Sequence, residues 1–176
     1  MPCITAERLT GAHPDFARAQ ALYVSAFPEN ERQAVPFATM ADGTDGHNAA
    51  WVYHDGDVFI GFSCMLVLGG LAHILYFAVD GSLRGKGYGS MVLTSLAETY
   101  PGQILLADIE RPMAGAKNEA YREKRRQFYL HNGFAPTDIT YTWKGEDYEI
   151  LSRGGPVTEA EFDAFWQYFD THSGLR

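Results

Sequence analysis

The stretch from Leu75 to Ser90 carries residues whose types and spacing fit them for chemistry. It reads Leu-Tyr-Phe-Ala-Val-Asp-Gly-Ser-Leu-Arg-Gly-Lys-Gly-Tyr-Gly-Ser, an apolar run that enters a turn of Arg84, Gly85, Lys86, Gly87, Tyr88 and Gly89. The amphipathic residues 91–97 follow. A strand feeding a glycine-rich turn at a helix N-terminus presents unpaired N–H groups at the positive end of a helix dipole, which makes an anion site. Glycines there let the backbone approach a phosphate with no Cβ in the way. Spacing excludes two phosphate loops. Lys86 is followed by Gly87, so the hydroxyl a Walker A loop offers to magnesium is missing. A dinucleotide fingerprint counted from Gly85 and Gly87 ends on Ser90 instead of glycine. An ordinary strand-to-helix turn would also account for the glycines alone.

A second motif lies downstream in Arg-Arg-Gln-Phe-Tyr-Leu-His-Asn-Gly-Phe, residues 125–134, where Tyr129 stands four residues before Gly133. Gly133 suits the left-handed position after a helix, and His131 falls in the last turn, where positive charge is favoured. Taken with Arg84, Gly87 and Gly89, which fit Arg/Gln-x-x-Gly-x-Gly/Ala, the pair resembles the two signatures of the GNAT superfamily of N-acetyltransferases over residues 49–151. The resemblance implies an α/β fold with a central mixed sheet of about six to seven strands flanked by helices. It implies acetyl-CoA as co-substrate, its pyrophosphate cradled by the amides from Arg84 through Gly85, Lys86, Gly87 and Tyr88 to Gly89. Arg84 and Lys86 would add charge pairing. It also implies that Phe77, Ala78 and Val79, on a strand that splays from its parallel neighbour, offer backbone groups to the pantetheine arm. Tyr129 would be the acid for the departing thiolate, a phenol that stays protonated at neutral pH; a buried helix tyrosine packed on the sheet is the plainer alternative.

The chain departs from the family where a base is needed. Many members place a glutamate on the strand before the phosphate loop, but residues 73–79 read His-Ile-Leu-Tyr-Phe-Ala-Val. The candidates are Glu110, Asp108 and His73, with a water relay beside them. Alternation puts Asp108 and Glu110 on one strand face, and Glu110 ends the strand where sites in parallel sheets gather, so Glu110 is the expected base. His73 reads more simply as a satisfied sheet histidine. Residues 29–40, with Glu29, Asn30, Glu31 and Arg32, and the loop 111–118 are expected to meet the substrate. Arg122 stands where the family often has asparagine, and the basic Arg122, Lys124, Arg125 and Arg126 either pair along the helix face or meet an acidic group of a ligand.

Composition narrows the partners. The 176 residues suit a single N-acetyltransferase domain over 1–176, and 46% hydrophobic residues make a packed core the expectation over disorder. A net charge of −8 argues against nucleic acid or anionic membrane and favours a small-molecule amine. No basic and then apolar leader is evident and Cys3 and Cys64 lack metal or redox spacing, so a cytoplasmic location and no metal are expected. Oligomeric state stays open, a homodimer included. The activity expected is transfer of an acetyl group to a primary amine of a small molecule or peptide by direct attack. A catalytically idle acyl-CoA-binding sensor or interaction module on the same fold is the alternative.

The elements that must position these residues follow from periodicity. Strands are expected at residues 4–10, 49–54, 57–67, 73–79 and 103–109, and a closing hairpin at 140–143 and 148–152. Helices are expected at 14–26, 87–100, 119–132 and 160–170, with a short one near 35–40 inside a loop over 29–48. Thr158 and Glu161 are spaced as a capping box for the last helix.

Overall fold

A computed structural model describes residues 3–43 and 46–175; two residues of the loop expected over 29–48 lie outside it. Seven strands form one sheet in the order β1-β2-β3-β4-β5-β7-β6. They are β1 (Ile4–Leu9), β2 (Asn48–Asp55), β3 (Val58–Leu68), β4 (Leu71–Val79), β5 (Ile104–Glu110), β6 (Ala135–Trp143) and β7 (Glu146–Arg153). The helices are α1 (Phe16–Ala26), α2 (Phe37–Asp42), α3 (Tyr88–Thr99), α4 (Glu119–His131) and α5 (Glu159–His172). This is the mixed, helix-flanked sheet the resemblance implied.

Each face of the sheet carries its own apolar core. Tyr23 of α1, Phe37 of α2 and Phe162, Phe165 and Phe169 of α5 pack on one face, with Phe62 and Tyr76 of the sheet. Val92, Leu93 and Leu96 of α3 and Tyr129 of α4 pack on the other, with Ile74, Leu105 and Ile109. The last helix starts as its spacing foretold: Thr158 accepts from Glu161 N–H at 3.2 Å, and Glu161 accepts from Thr158 N–H at 2.8 Å. Such a reciprocal cap contributes about 1 kcal/mol.

The sheet's one parallel pair positions the site. β4 and β5 pair only from Leu71 with Ile104 to Ile74 with Ala107, although both strands run on. Beyond that point β4 is held by β3 alone and β5 by β7 alone, so a gap opens inside the sheet. A bulge coincides with the parting. The β3–β4 register shifts between Cys64 and Met65, which pair with Tyr76 and Ile74, so Leu75 is the extra residue. Leu75 and Tyr76 consequently pack toward the same core, and Phe77 and Val79 toward the other.

Two elements depart from the sequence expectation. β6 begins at Ala135, five residues before the alternating Thr140–Trp143 run of the expected hairpin. Its register breaks between Pro136 and Thr140, with Asp138 at a positive φ of 64°, and this irregularity hides the strand from a period-2 count. β7 also inserts between β5 and β6, an order that local periodicity does not contain.

Candidate active site

The phosphate turn is built as its glycines require. Asp80 accepts from Ser82 N–H at 2.9 Å and from its hydroxyl at 2.6 Å, capping a 3-10 turn at Gly81–Leu83. Those bonds hold the Asp80 carboxyl below the usual range. Gly85 and Gly87 then take φ of 77° and 86°, the left-handed region, and Gly87 opens α3 with no side-chain cap. Met91 N–H to Gly87 C=O, at 3.2 Å, is the first bond of the helix. Among the described residues no acceptor meets the N–H groups from Gly87 through Ser90. Arg84 and Lys86 are exposed and in no ion pair among the described residues.

Gly89 and Tyr88 have local packing duties as well. A Cβ on Gly89 would lie 3.1 Å from the Phe128 ring, which stacks on Phe77 with centroids 6.3 Å apart. Gly89 therefore lets α3 approach α4 and β4, in addition to any contact with a ligand. The Tyr88 hydroxyl donates to Asp55 at 2.7 Å, tying the turn to the β2–β3 hairpin and leaving only its backbone for an anion.

On β4, Asp80 N–H bonds Ile60 C=O at 2.8 Å, and the Ala78 carbonyl lies so near Gly61 that a Cβ there would meet it at 2.1 Å. Polar groups alternate sides along a strand. Ala78 therefore faces β3, while the amides and carbonyls of Phe77 and Val79 face the gap. Pairing with a ligand in the gap falls to those two rather than to Ala78.

Tyr129 sits on the α4 side of the gap and is 8% exposed. Burial pushes its hydroxyl up to about 12, against a lowering by the nearby Arg125. The hydroxyl makes no hydrogen bond among the described residues. Gly133, at φ 81°, ends the helix, and Phe134 N–H bonds back to Tyr129 C=O at 3.2 Å.

The opposite mouth of the gap is a cavity of about 90 Å³. Six elements and a loop wall it, among them His73 and Tyr76 of β4, Asp108 of β5, Tyr141 of β6, Arg125 of α4 and Glu31 of the α1–α2 loop. The Tyr76 hydroxyl donates to Glu31 C=O at 2.9 Å and accepts from Gln33 N–H at 2.8 Å, fastening that loop to the sheet. Burial, and then the facing Glu110, raise the Glu31 carboxyl above its ordinary value.

Glu110 is buried and committed. Its Oε2 lies 3.2 Å from Arg122 Nε and 3.4 Å from Asn118 Nδ2. Arg122 also reaches Glu146 at 3.0 Å, and Arg126 reaches Glu149 at 2.7 Å, so pairing within the fold accounts for both arginines. Asp108 and Glu110 share a face as alternation required, but it is Asp108 that lines the cavity. His73 Nε2 lies 2.5 Å from Asp108 Oδ1, and the Tyr141 hydroxyl donates to Asp108 Oδ2. His73 is not the satisfied sheet histidine expected from its setting: Nδ1 is buried without a hydrogen-bond partner. Tyr76 and Tyr141 are cavity residues that sequence reasoning did not assign to a site, and Arg125, read there as pairing along its helix or meeting a ligand, lines the cavity with them. Among the described residues no cluster of His, Cys, Asp or Glu is arranged to hold a metal ion, and no helix is long and apolar enough to cross a membrane.

Residues 46–136, just over half of the chain, match the family model of the acetyltransferase (GNAT) domain. The chain belongs to the GNAT acetyltransferase family, whose general reaction is acyl-CoA-dependent acetyl transfer. Its fold is similar to that of a protein from Bacteroides thetaiotaomicron assigned to the same family, at 21% identity over 98% of this chain and 99% of that one, with a TM-score of 0.79. It is also similar to a Bacillus subtilis acetyltransferase solved in complex with CoA, at 15% identity, 86% and 98% coverage and a TM-score of 0.57. A spermidine N-acetyltransferase variant from Vibrio cholerae matches at 11% identity, 85% and 92% coverage and a TM-score of 0.60. No curated protein matches.

Proposed function

We propose that this chain transfers the acetyl group of acetyl-CoA to a primary amine of a small molecule or peptide by direct attack. The observation that carries the reading is the run of unpaired amides from Gly87 through Ser90 at the uncapped start of α3, on the connection that leaves the free edge of β4. A diphosphate satisfies such amides and the helix dipole together, and Arg84 and Lys86 add charge. Phe77 and Val79 offer an amide-bearing arm the strand partner that β5 no longer supplies. Bound acetyl-CoA supplies a thioester, whose carbonyl carbon takes the amine lone pair and whose C–S bond then breaks.

Tyr129 is assigned to the departing sulfur. Full proton transfer from a phenol near 12 to a thiolate whose thiol titrates near 8.5 is on the order of 5 kcal/mol uphill. Tyr129 therefore acts as a hydrogen-bond donor that steadies the developing thiolate, with Arg125 improving it as a donor. Glu110, already paired with Arg122, takes a narrower part than a lone base: with Glu31 and Asp108 it makes the mouth acidic and draws in a protonated amine.

The test is incubation with acetyl-CoA and a panel of primary amines, following free CoA thiol and acetylated amine by mass spectrometry. Amine-dependent release of CoA with N-acetylated product is expected. Tight acetyl-CoA binding with no amine-dependent release across the panel would put the idle acyl-CoA-binding module in its place.

A further inference from the structure

The attacking amine must lose a proton, and we propose that Nδ1 of His73 receives it, held ready by Asp108. The inference rests on the acetyltransferase reading above. His73 is 1% exposed and lies one residue before the last β4–β5 pair, so its ring sits at the point where the gap opens. Asp108, two residues beyond the Leu106 that pairs with His73, reaches its Nε2 at 2.5 Å. The other Asp108 oxygen accepts from Tyr141, so the carboxylate is fixed at both ends. A carboxylate only accepts, so Nε2 carries a proton, and in the neutral imidazole Nδ1 is then the bare nitrogen.

That bare nitrogen has no partner within the protein, yet the imidazole lines the cavity. Buried polar atoms are paired as a rule, and one left open beside a cavity is suited to a partner brought by a ligand. The rings of Phe165 and Trp166, with centroids 5.9 and 5.1 Å away, wall the imidazole. Once Nδ1 takes a proton, Asp108 balances the charge, the logic by which a carboxylate prepares a histidine base. The titratable and charged groups sharing the cavity are Asp108, Tyr141, Tyr148, Glu31, Arg125 and Tyr76. Glu31 faces a second carboxylate, Glu110, whose Oε2 is already claimed by Arg122 and Asn118. In the step, Nδ1 first takes a proton from the ammonium and passes it to solvent. The freed lone pair forms the C–N bond, the C–S bond breaks with its electrons leaving on sulfur, and the second N–H proton follows through Nδ1 to solvent.

The experiment joins pH profiles of kcat/KM for wild type, His73→Gln, Asp108→Asn and Glu110→Gln with ¹⁵N NMR of the His73 ring in the wild type. His73→Gln is expected to lose the acidic limb and about 10² to 10⁴-fold in turnover, with acetyl-CoA affinity retained by calorimetry. Glu110→Gln should keep the limb while raising KM, and Asp108→Asn should fall between. NMR near neutral pH should find Nε2 protonated and Nδ1 bare. A protonated Nδ1, or a His73→Gln enzyme with the wild-type limb and rate, overturns the proposal. If His73→Gln does not fold, the wild-type tautomer and the Asp108→Asn profile decide it. Absence of amine turnover in the wild type would count against the acetyltransferase reading, and the tautomer would still judge the His73 assignment.

Discussion

The phosphate turn and the cavity across the gap solve recognition in opposite ways. The turn presents backbone: amides without acceptors, glycines at positive φ, and two exposed cations in no ion pair among the described residues. The cavity presents side chains that are buried and bonded to one another, with Asp108 fixed by His73 and Tyr141 and the α1–α2 loop fixed by Tyr76. Backbone fits a ligand common to many proteins, because its geometry survives changes of sequence. A packed set of side chains is particular to one acceptor and cannot change a member without disturbing its neighbours. Substitutions on the two sides should therefore separate cleanly into cofactor effects and amine effects.

The largest effect is expected at Gly87→Asp. A side chain at φ 86° is strained, and its charge would face the diphosphate. Acetyl-CoA affinity should fall by about 10²-fold or more, since the two costs together reach about 3 kcal/mol. Calorimetry finding wild-type affinity would remove the turn from the cofactor site. Tyr129→Phe comes next, with turnover down about 10²-fold and acetyl-CoA affinity held; equal turnover, with chemistry rate-limiting, would leave the hydroxyl without a part. Tyr76→Phe loosens the acceptor side alone. Loss of its bonds to Glu31 and Gln33 should raise the amine KM about 5- to 10-fold. A change in acetyl-CoA affinity instead would break the division between the two regions.

The smallest effect concerns stability. The Glu31 carboxyl is raised above its ordinary 4.5, so the folded state binds that proton more tightly than the unfolded chain. Its contribution is present below 4.5 and is lost as pH rises through the raised value, leaving a partly buried carboxylate that costs stability at neutral pH. Because Glu31 is half-exposed, solvent screens much of that cost. Glu31→Gln should raise Tm by about 1 to 3 °C at neutral pH, and the gain should vanish at acidic pH. A lowered Tm at neutral pH would mean that Glu31 is paired favourably there.

The same contrast explains what the sequence disclosed. Gly85, Gly87 and Gly133 announce backbone conformations that few other residues adopt, so the turn and the end of α4 were legible from residue type and spacing. The strands and helices around them followed from periodicity, and Thr158 with Glu161 marked α5. The cavity was legible only in pieces, since His73, Asp108 and the loop 29–40 could be named but not brought together: its walls come from distant parts of the chain and depend on register. Nothing local tells that His73 pairs with Leu106, and so meets Asp108 rather than Glu110. The signal available was a histidine and an aspartate inside otherwise apolar strands, each needing a polar partner. Glu110 looked free in sequence because the Arg122 that claims it lies twelve residues on, across a loop.

The central claim is that acetyl-CoA is held by main chain on one side while the other side is reserved for the amine. Amide hydrogen exchange with and without acetyl-CoA measures this at the atoms concerned. The N–H groups of Gly87 through Ser90 lack acceptors in the free protein, so they should exchange fast and slow sharply on binding, together with Phe77 and Val79. Glu31 to Gln33, beyond the gap, should change little. Protection confined to the α1–α2 loop, with 87–90 exchanging as fast as before, would contradict the account.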